Sequence, residues 1–338
     1  MYRKARICVV GSLNVEYVTT TPRFPNPGET LTATSLTLSA GGKGGIQAAA
    51  CGRATTIDDV YVNMIGAVRT DDPHYEHLLQ PSLEDSGVDT TSIEQLKDVP
   101  TGSASIIVDE ANGGEKRVLV VPGANHAGIL TSADKIIKTI QSYPSPTDVV
   151  VLQGEIPRAT TVGLLKFYND PEGRWDSGGR AKVVFNPSPV YPKGIPYKAL
   201  LNTAVLIMNE TELMQMSRCN REWVVDESDS VERLARKFHL EFGVGIVLVT
   251  LGAKGVYYSA RMGRAGVVPG VEVDEVVDTT AAGDTFVGYF ANSLARFLST
   301  GHVLEDFDDV IEDAVILAND AAALSVQVRG GMRSVPFA

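Results

Sequence analysis

Apolar and polar positions alternate along this chain on two scales. Several short stretches are apolar almost without interruption: "ARICVVGS", "VYVNMIGAV", "DVVVLQGE", "AKVVFNPSP", "AVLIMNE" and "GIVLVTLG". Between them, apolar residues recur at helical spacing in "TSADKIIKTIQSY", "ATTVGLLKFYND" and "SVERLARKFHLEFG". Continuous Val/Ile/Leu runs are strands buried on both faces. Their alternation with amphipathic helices predicts an α/β fold, a mostly parallel sheet with helices on both faces. The runs end in small or polar residues: Gly11-Ser12-Leu13-Asn14, Gln153-Gly154-Glu155, Asn186-Pro187-Ser188, Asn209-Glu210 and Thr250-Leu251-Gly252. Ligands of such sheets bind beyond the carboxyl ends of the strands, so a site is expected there.

Two regions break this rhythm. "NVEYVTT" and "ETLTATSLTL", within residues 14–40, are joined by "PRFPNPGE". "TGSASIIVDE" and "EKRVLVVP", within 101–121, are joined by "ANGG". Thr-rich alternation and Gly-rich turns predict antiparallel strands, a small β-sheet lid over the mouth of the site. "DPEGRWDSGGR" (170–180) reads as a surface insertion. No linker divides the chain, so residues 1–338 are expected to form a single α/β domain carrying the lid.

Composition narrows the partners. The 338 residues carry a formal net charge of −11. That argues against nucleic acid, whose phosphates are held by clustered Lys and Arg, but leaves room for a small anion at a local site. No apolar run is long enough to span a bilayer, and "MYRKARICVVGS" reads as a first strand rather than a signal peptide. Cys8, Cys51 and Cys219 are far apart, with no CxxC or metal spacing. Reduced buried thiols fit a cytoplasmic protein, with the nucleus open to it as well.

Two stretches carry candidate chemistry. "DTTAAGDTFVGYFA" (278–291) sets the small residues Ala281, Ala282 and Gly283 before Asp284 at the start of an apolar helix. A helix N-terminus offers unpaired N–H groups and partial positive charge, so a phosphoryl group can sit there. Asp284 beside it can take a proton from an attacking alcohol. The plain alternative is an acid in the first turn of a capped helix. "AGGKGGIQAAACGRA" (40–54) resembles a phosphate loop without its GxxxxGK[ST] spacing. Its glycines would let backbone approach a polar ligand, or simply form a turn before a tightly packed helix.

Together the two stretches resemble the paired signatures of the ribokinase family of carbohydrate kinases, with eukaryotic members closest. "GSLN", "PNPGET", "GEIP", "FNPSP", "NETE", "TLGAKG" and "RGGMRSVP" follow in the order seen in that family. The resemblance implies ATP-dependent phosphorylation of a sugar hydroxymethyl group with Mg²⁺, most directly D-ribose to D-ribose 5-phosphate. It makes Asp284 the general base and Ala281, Ala282 and Gly283 the anion hole. It puts Asn14, Glu16, Gly42, Lys43, Gly44, Ile46, Glu155 and Asp284 around the sugar. Asn209, Thr250, Leu251, Gly252, Ala253, Lys254, Gly255, Gly283, Asp284 and Asn319 fall around ATP, with Glu212 near Mg²⁺. A K⁺ ion would be held by Asp278, Thr280, Ser325, Val328, Gly330 and Ser334, several of them through a backbone carbonyl alone. Apart from the resemblance, the lid strands are too few to stand alone in water, so a homodimer through the lid is expected.

Two positions depart from the pattern. Glu16 stands where the family has Asp, and Ile46 stands where "GGKGxNQA" has Asn. Ile46 cannot hydrogen-bond a sugar hydroxyl; alternatively it points into the core from a shifted helix start. The rival functions are a kinase for another sugar or a nucleoside, and a silent sugar or nucleotide sensor on the same scaffold. A dinucleotide-dependent dehydrogenase would need a GxGxxG after a strand, and none is found.

Overall fold

The computed structural model describes residues 3–55, 59–111, 115–170, 181–220 and 223–338; the expected insertion thus lies, apart from Asp170, outside the described residues. In chain order the strands are β1 (Ala5–Val10), β2 (Asn14–Thr21), β3 (Ser35–Gly41), β4 (Val60–Arg69), β5 (Val88–Asp89), β6 (Ile93–Leu96), β7 (Gly102–Asp109), β8 (Glu115–Val121), β9 (Val149–Leu152), β10 (Lys182–Phe185), β11 (Val205–Asn209), β12 (Ile246–Thr250), β13 (Val256–Ala260) and β14 (Ala265–Val268). The six apolar runs become β1, β4, β9, β10, β11 and β12. The three amphipathic stretches form the helices Ala133–Gln141, Arg158–Asn169 and Val231–Phe242.

The large sheet has the order β14-β13-β12-β11-β10-β9-β1-β4-β5, with β6 also on β4. Pairing is parallel from β12 through β5, with Ile7 facing both Val62 and Val149 across β1. The β13–β14 hairpin adds antiparallel strands at one edge. Alternation within each central strand feeds two cores. Ile7, Val9, Val149, Val151, Val205 and Ile207 enter one, while Cys8, Val10, Val150, Leu152, Leu206 and Met208 enter the other. This two-sided burial is why the runs show no polar face.

The chain proceeds from β1 outward to β4 on one side and through β9 to β12 on the other. The switch point of the sheet therefore lies between β1 and β9, where a crevice opens at the carboxyl ends. The second sheet has the order β3-β2-β7-β8. The two expected hairpins are antiparallel as read, but they meet through a parallel β2–β7 seam, with Asn14 opposite Gly102 and Thr20 opposite Val108. Because β2 starts only a few residues beyond β1, the lid begins at the switch point itself.

Candidate active site

The helix Ala282–Ser299 begins at this crevice. Its N-cap is Ala281, and no side chain caps its first turn. Thr285 N is the first amide to bond back to the cap carbonyl and Ala282 N turns back to Thr279 O at 3.4 Å, so the N–H groups of Gly283 and Asp284 are the ones left without an intrahelical or turn partner. A Cβ placed on Gly283 would meet nothing within 4 Å. The helix thus presents bare donors to open space, which suits an anion.

Asp284 does not cap this helix. Its residue is only 2% exposed, and its oxygens turn to the helix Lys43–Arg53. Lys43 Nζ lies 3.5 Å from Oδ2, and Gln47 Nε2 donates to Oδ1 at 2.7 Å. Gln47 is itself fully buried. It also donates to Asn186 Oδ1 (3.2 Å) and accepts from Gln153 Nε2 (2.7 Å). Burial raises the pKa of Asp284 above the ordinary aspartate value, against the pull of Lys43 and Gln47. Burial lowers Lys43, but Asp284, Glu155 and Glu212 outweigh it and hold the ammonium above its usual range. A charged lysine beside a carboxylate of raised basicity is a proton acceptor with a counter-ion already in place.

The glycines of the second stretch have a structural cause. A Cβ at Gly42, where φ is +84°, would lie 2.8 Å from Asn14 N. One at Gly44 would lie 2.5 Å from Ser12 N. Their missing side chains make room for the chain's own turn after β1. That turn is fixed by polar contacts. Glu155 Oε2 accepts from the Ser12 hydroxyl and from Lys43 N (2.9 Å), and Gly44 N donates to Ser12 Oγ (3.3 Å). Asn125 accepts from Leu13 N (2.9 Å) and donates to Asn14 Oδ1 (2.7 Å).

Glu16 on the lid is 6% exposed and folds onto Gly41 and Gly331. Its pKa is raised to about 7, first by burial and then by Glu155, Asp284 and Asp278, against the Gly42 N–H. Ile46 is 2% exposed and belongs to the core; its Cδ1 and Glu16 Oε2 both approach Gly331.

Asn209 and Glu212 form a capping box at the helix Glu210–Cys219: Asn209 Oδ1 accepts from Glu212 N and Glu212 Oε2 from Asn209 N. Thr250 ends β12, and Leu251, Gly252, Ala253, Lys254 and Gly255 make the turn after it, with Gly252 and Gly255 both at positive φ. Asn319 donates to Pro269 O at 2.9 Å, and Gly270 beyond it packs on Ala253 O. Asp278, Thr280 and Gly330 come together: Asp278 Oδ1 accepts from Thr280 N (3.0 Å) and Oδ2 from Gly330 N (3.2 Å). Val326 O binds Val277 N and Asp278 N, which brings the Ser325–Gly330 turn alongside. Among the described residues, no group of three or more His, Cys, Asp or Glu forms a metal cluster, and no helix is long and apolar enough to cross a membrane.

Residues 4–338 match the pfkB family of carbohydrate kinases. The chain belongs to that family. The ribokinase of Schizosaccharomyces pombe is 31% identical over 98% of this chain and 94% of its own length. The ribokinase structure from Thermotoga maritima is 33% identical with a TM-score of 0.77, covering 98% of this chain and 96% of that one. The structure of Arabidopsis thaliana ribokinase complexed with ribose and ATP is 27% identical, with a TM-score of 0.76 over 99% of this chain and 96% of that one. This pfkB-family chain is thus an ATP-dependent carbohydrate kinase, and the dehydrogenase reading is set aside. Ser12 and Asn186 stand at the polar strand ends where a site is expected; the site's polar residues without such a sign are Gln47, Lys116 and Asn125. Gln47 did leave a signal. It lies four residues after Lys43, on the same helix face, and it is a long polar side chain in the otherwise small or apolar run Gly44–Cys51.

Proposed function

We propose that this kinase transfers the γ-phosphoryl group of MgATP to the 5-hydroxymethyl group of D-ribose. One observation carries the reading. Asp284 is a buried carboxylate of raised pKa, directed at Lys43 and standing at the uncapped start of a helix. It is placed to take the hydroxyl proton as the oxygen attacks phosphorus. The N–H groups at Ala281–Gly283 would hold the phosphoryl oxygens as charge develops on them, and Lys43 would keep the protonation change from leaving an unpaired charge. Asn14, Glu16 and Glu155, polar groups at the base of the lid, would orient the sugar. The turn Thr250–Gly255 and the neighbourhood of Asn319 would take the nucleotide.

Mg²⁺ arrives with ATP and needs few protein ligands, since phosphates and water complete its shell. The half-buried Glu212, fixed by its capping box and felt electrostatically at Lys43, fits that duty. The K⁺ expectation fits less well, because the Asp278 carboxylate that would anchor the ion already pairs with the Lys116 ammonium.

ADP release should be measured across ribose, other pentoses, hexoses and nucleosides. Ribose is expected to give the highest kcat/KM, and a clear preference for another acceptor overturns the assignment. Asp284→Asn keeps the shape and removes the base. Turnover should fall by roughly 10²–10⁴-fold with nucleotide affinity little changed, and near-normal turnover would remove Asp284 from the chemistry.

A further inference from the structure

The lid delivers an ammonium group into the cluster beside the anion hole. Lys116 lies on β8, the outer lid strand, and Asp278 lies 162 residues away in the turn before the helix Ala282–Ser299. Lys116 Nζ pairs with Asp278 Oδ1 and donates to Thr280 Oγ1 at 2.7 Å. Asp278 Oδ1 also accepts from Thr280 N and Thr280 Oγ1, and Oδ2 from Gly330 N. Of the other positions named for a cation, several would offer only a backbone carbonyl, and Ser325 Oγ and Ser334 Oγ, which donate to Ala322 O and Gly331 O, keep lone pairs for a cation once the ammonium is gone. A free cation entering on Asp278 would meet a like charge already in contact with the same oxygen.

An ammonium and K⁺ carry the same charge. They differ in that the lysine is tethered, so its local concentration is set by the lid and not by the medium. We propose that Lys116 is the built-in monovalent cation of this site: a positioning residue that holds Asp278 and Thr280, and through them the turn that opens the anion hole. The inference rests on the kinase reading above. It makes arrival of the cation and closure of the lid one event.

The test uses the full chain in choline chloride and in KCl at equal ionic strength, with ADP release from MgATP and ribose and the thermal midpoint as two readouts. Wild type should respond to K⁺ in neither. Lys116→Met should lose roughly tenfold or more in kcat in choline, with both KM values little changed because Lys116 is assigned no substrate contact. K⁺ or NH₄⁺ should restore the rate saturably and raise the midpoint of this variant alone, since the ion would bind its folded state. Strong K⁺ activation of wild type overturns the proposal, as does a Lys116→Met variant that keeps its rate in choline. A loss that no small cation repairs reduces Lys116 to a lid fastener and also overturns it. If wild type phosphorylates no sugar in any salt, the kinase reading fails by itself, while the two midpoints still decide the fate of the lysine.

Discussion

At the residue scale, the site depends on a side chain that touches the base rather than on the base alone. Gln47 offers Asp284 one charge-assisted hydrogen bond from a fully buried position. Such a bond favours the ionised carboxylate and lowers its pKa. Gln47→Leu removes it, so the acid limb of the kcat/KM profile should move to higher pH. A bond to a charged group contributes about 1.5–3 kcal/mol, which corresponds to about 1–2 pH units. The sign follows because activity requires ionised Asp284, and a higher pKa delays ionisation as pH rises. An unmoved acid limb with merely reduced stability would make Gln47 a packing residue. Asp284 and Lys43 were legible because each sits in a short, unusual run of small residues. Asn125 and Lys116 were not, because their meaning comes from partners 111 and 162 residues away. Nothing local in "GANH" or "EKRV" announces those contacts.

At the element scale, the lid shows the limit of local patterning. The hairpins could be read from alternation and turns, but not the parallel β2–β7 seam. That pairing joins segments with no shared turn, and register between such segments is set by packing. The β13–β14 hairpin was missed for a related reason: "VYYSA" and "AGVV" are short and only weakly patterned. The lid also leaves apolar side chains uncovered. Register puts Leu36, Leu38, Leu119 and Val121 on one face, and their exposures run from 44% to 68%. A two-hairpin sheet with such a face is marginal in water, and a second lid is the proposed cover. Leu119→Glu should then shift a dimer to monomer in sedimentation velocity at micromolar concentration, with little change in monomer stability. A dimer that survives this change uses another surface.

At the scale of the whole molecule, the two sheets differ in how they are held. The strands β9, β10 and β11 are buried on both faces between helices, whereas every residue of β8 but Lys116 is exposed. The β2–β7 seam closes a chain loop of roughly eighty residues, at an entropic cost that the lid's buried side chains, all on β2, β3 and β7 and none on β8, must offset. The lid is therefore a unit that can melt while the body stays folded. Amide hydrogen exchange would show it: β8 and the distal half of β3 should exchange orders of magnitude faster than β9 and β11 at the same pH. Uniform protection across both sheets would contradict this. If the lid melts on its own, part of any substrate's affinity is spent freezing it, so poor substrates would be distinguished by how much of the lid they leave unprotected from deuterium as well as by their rates.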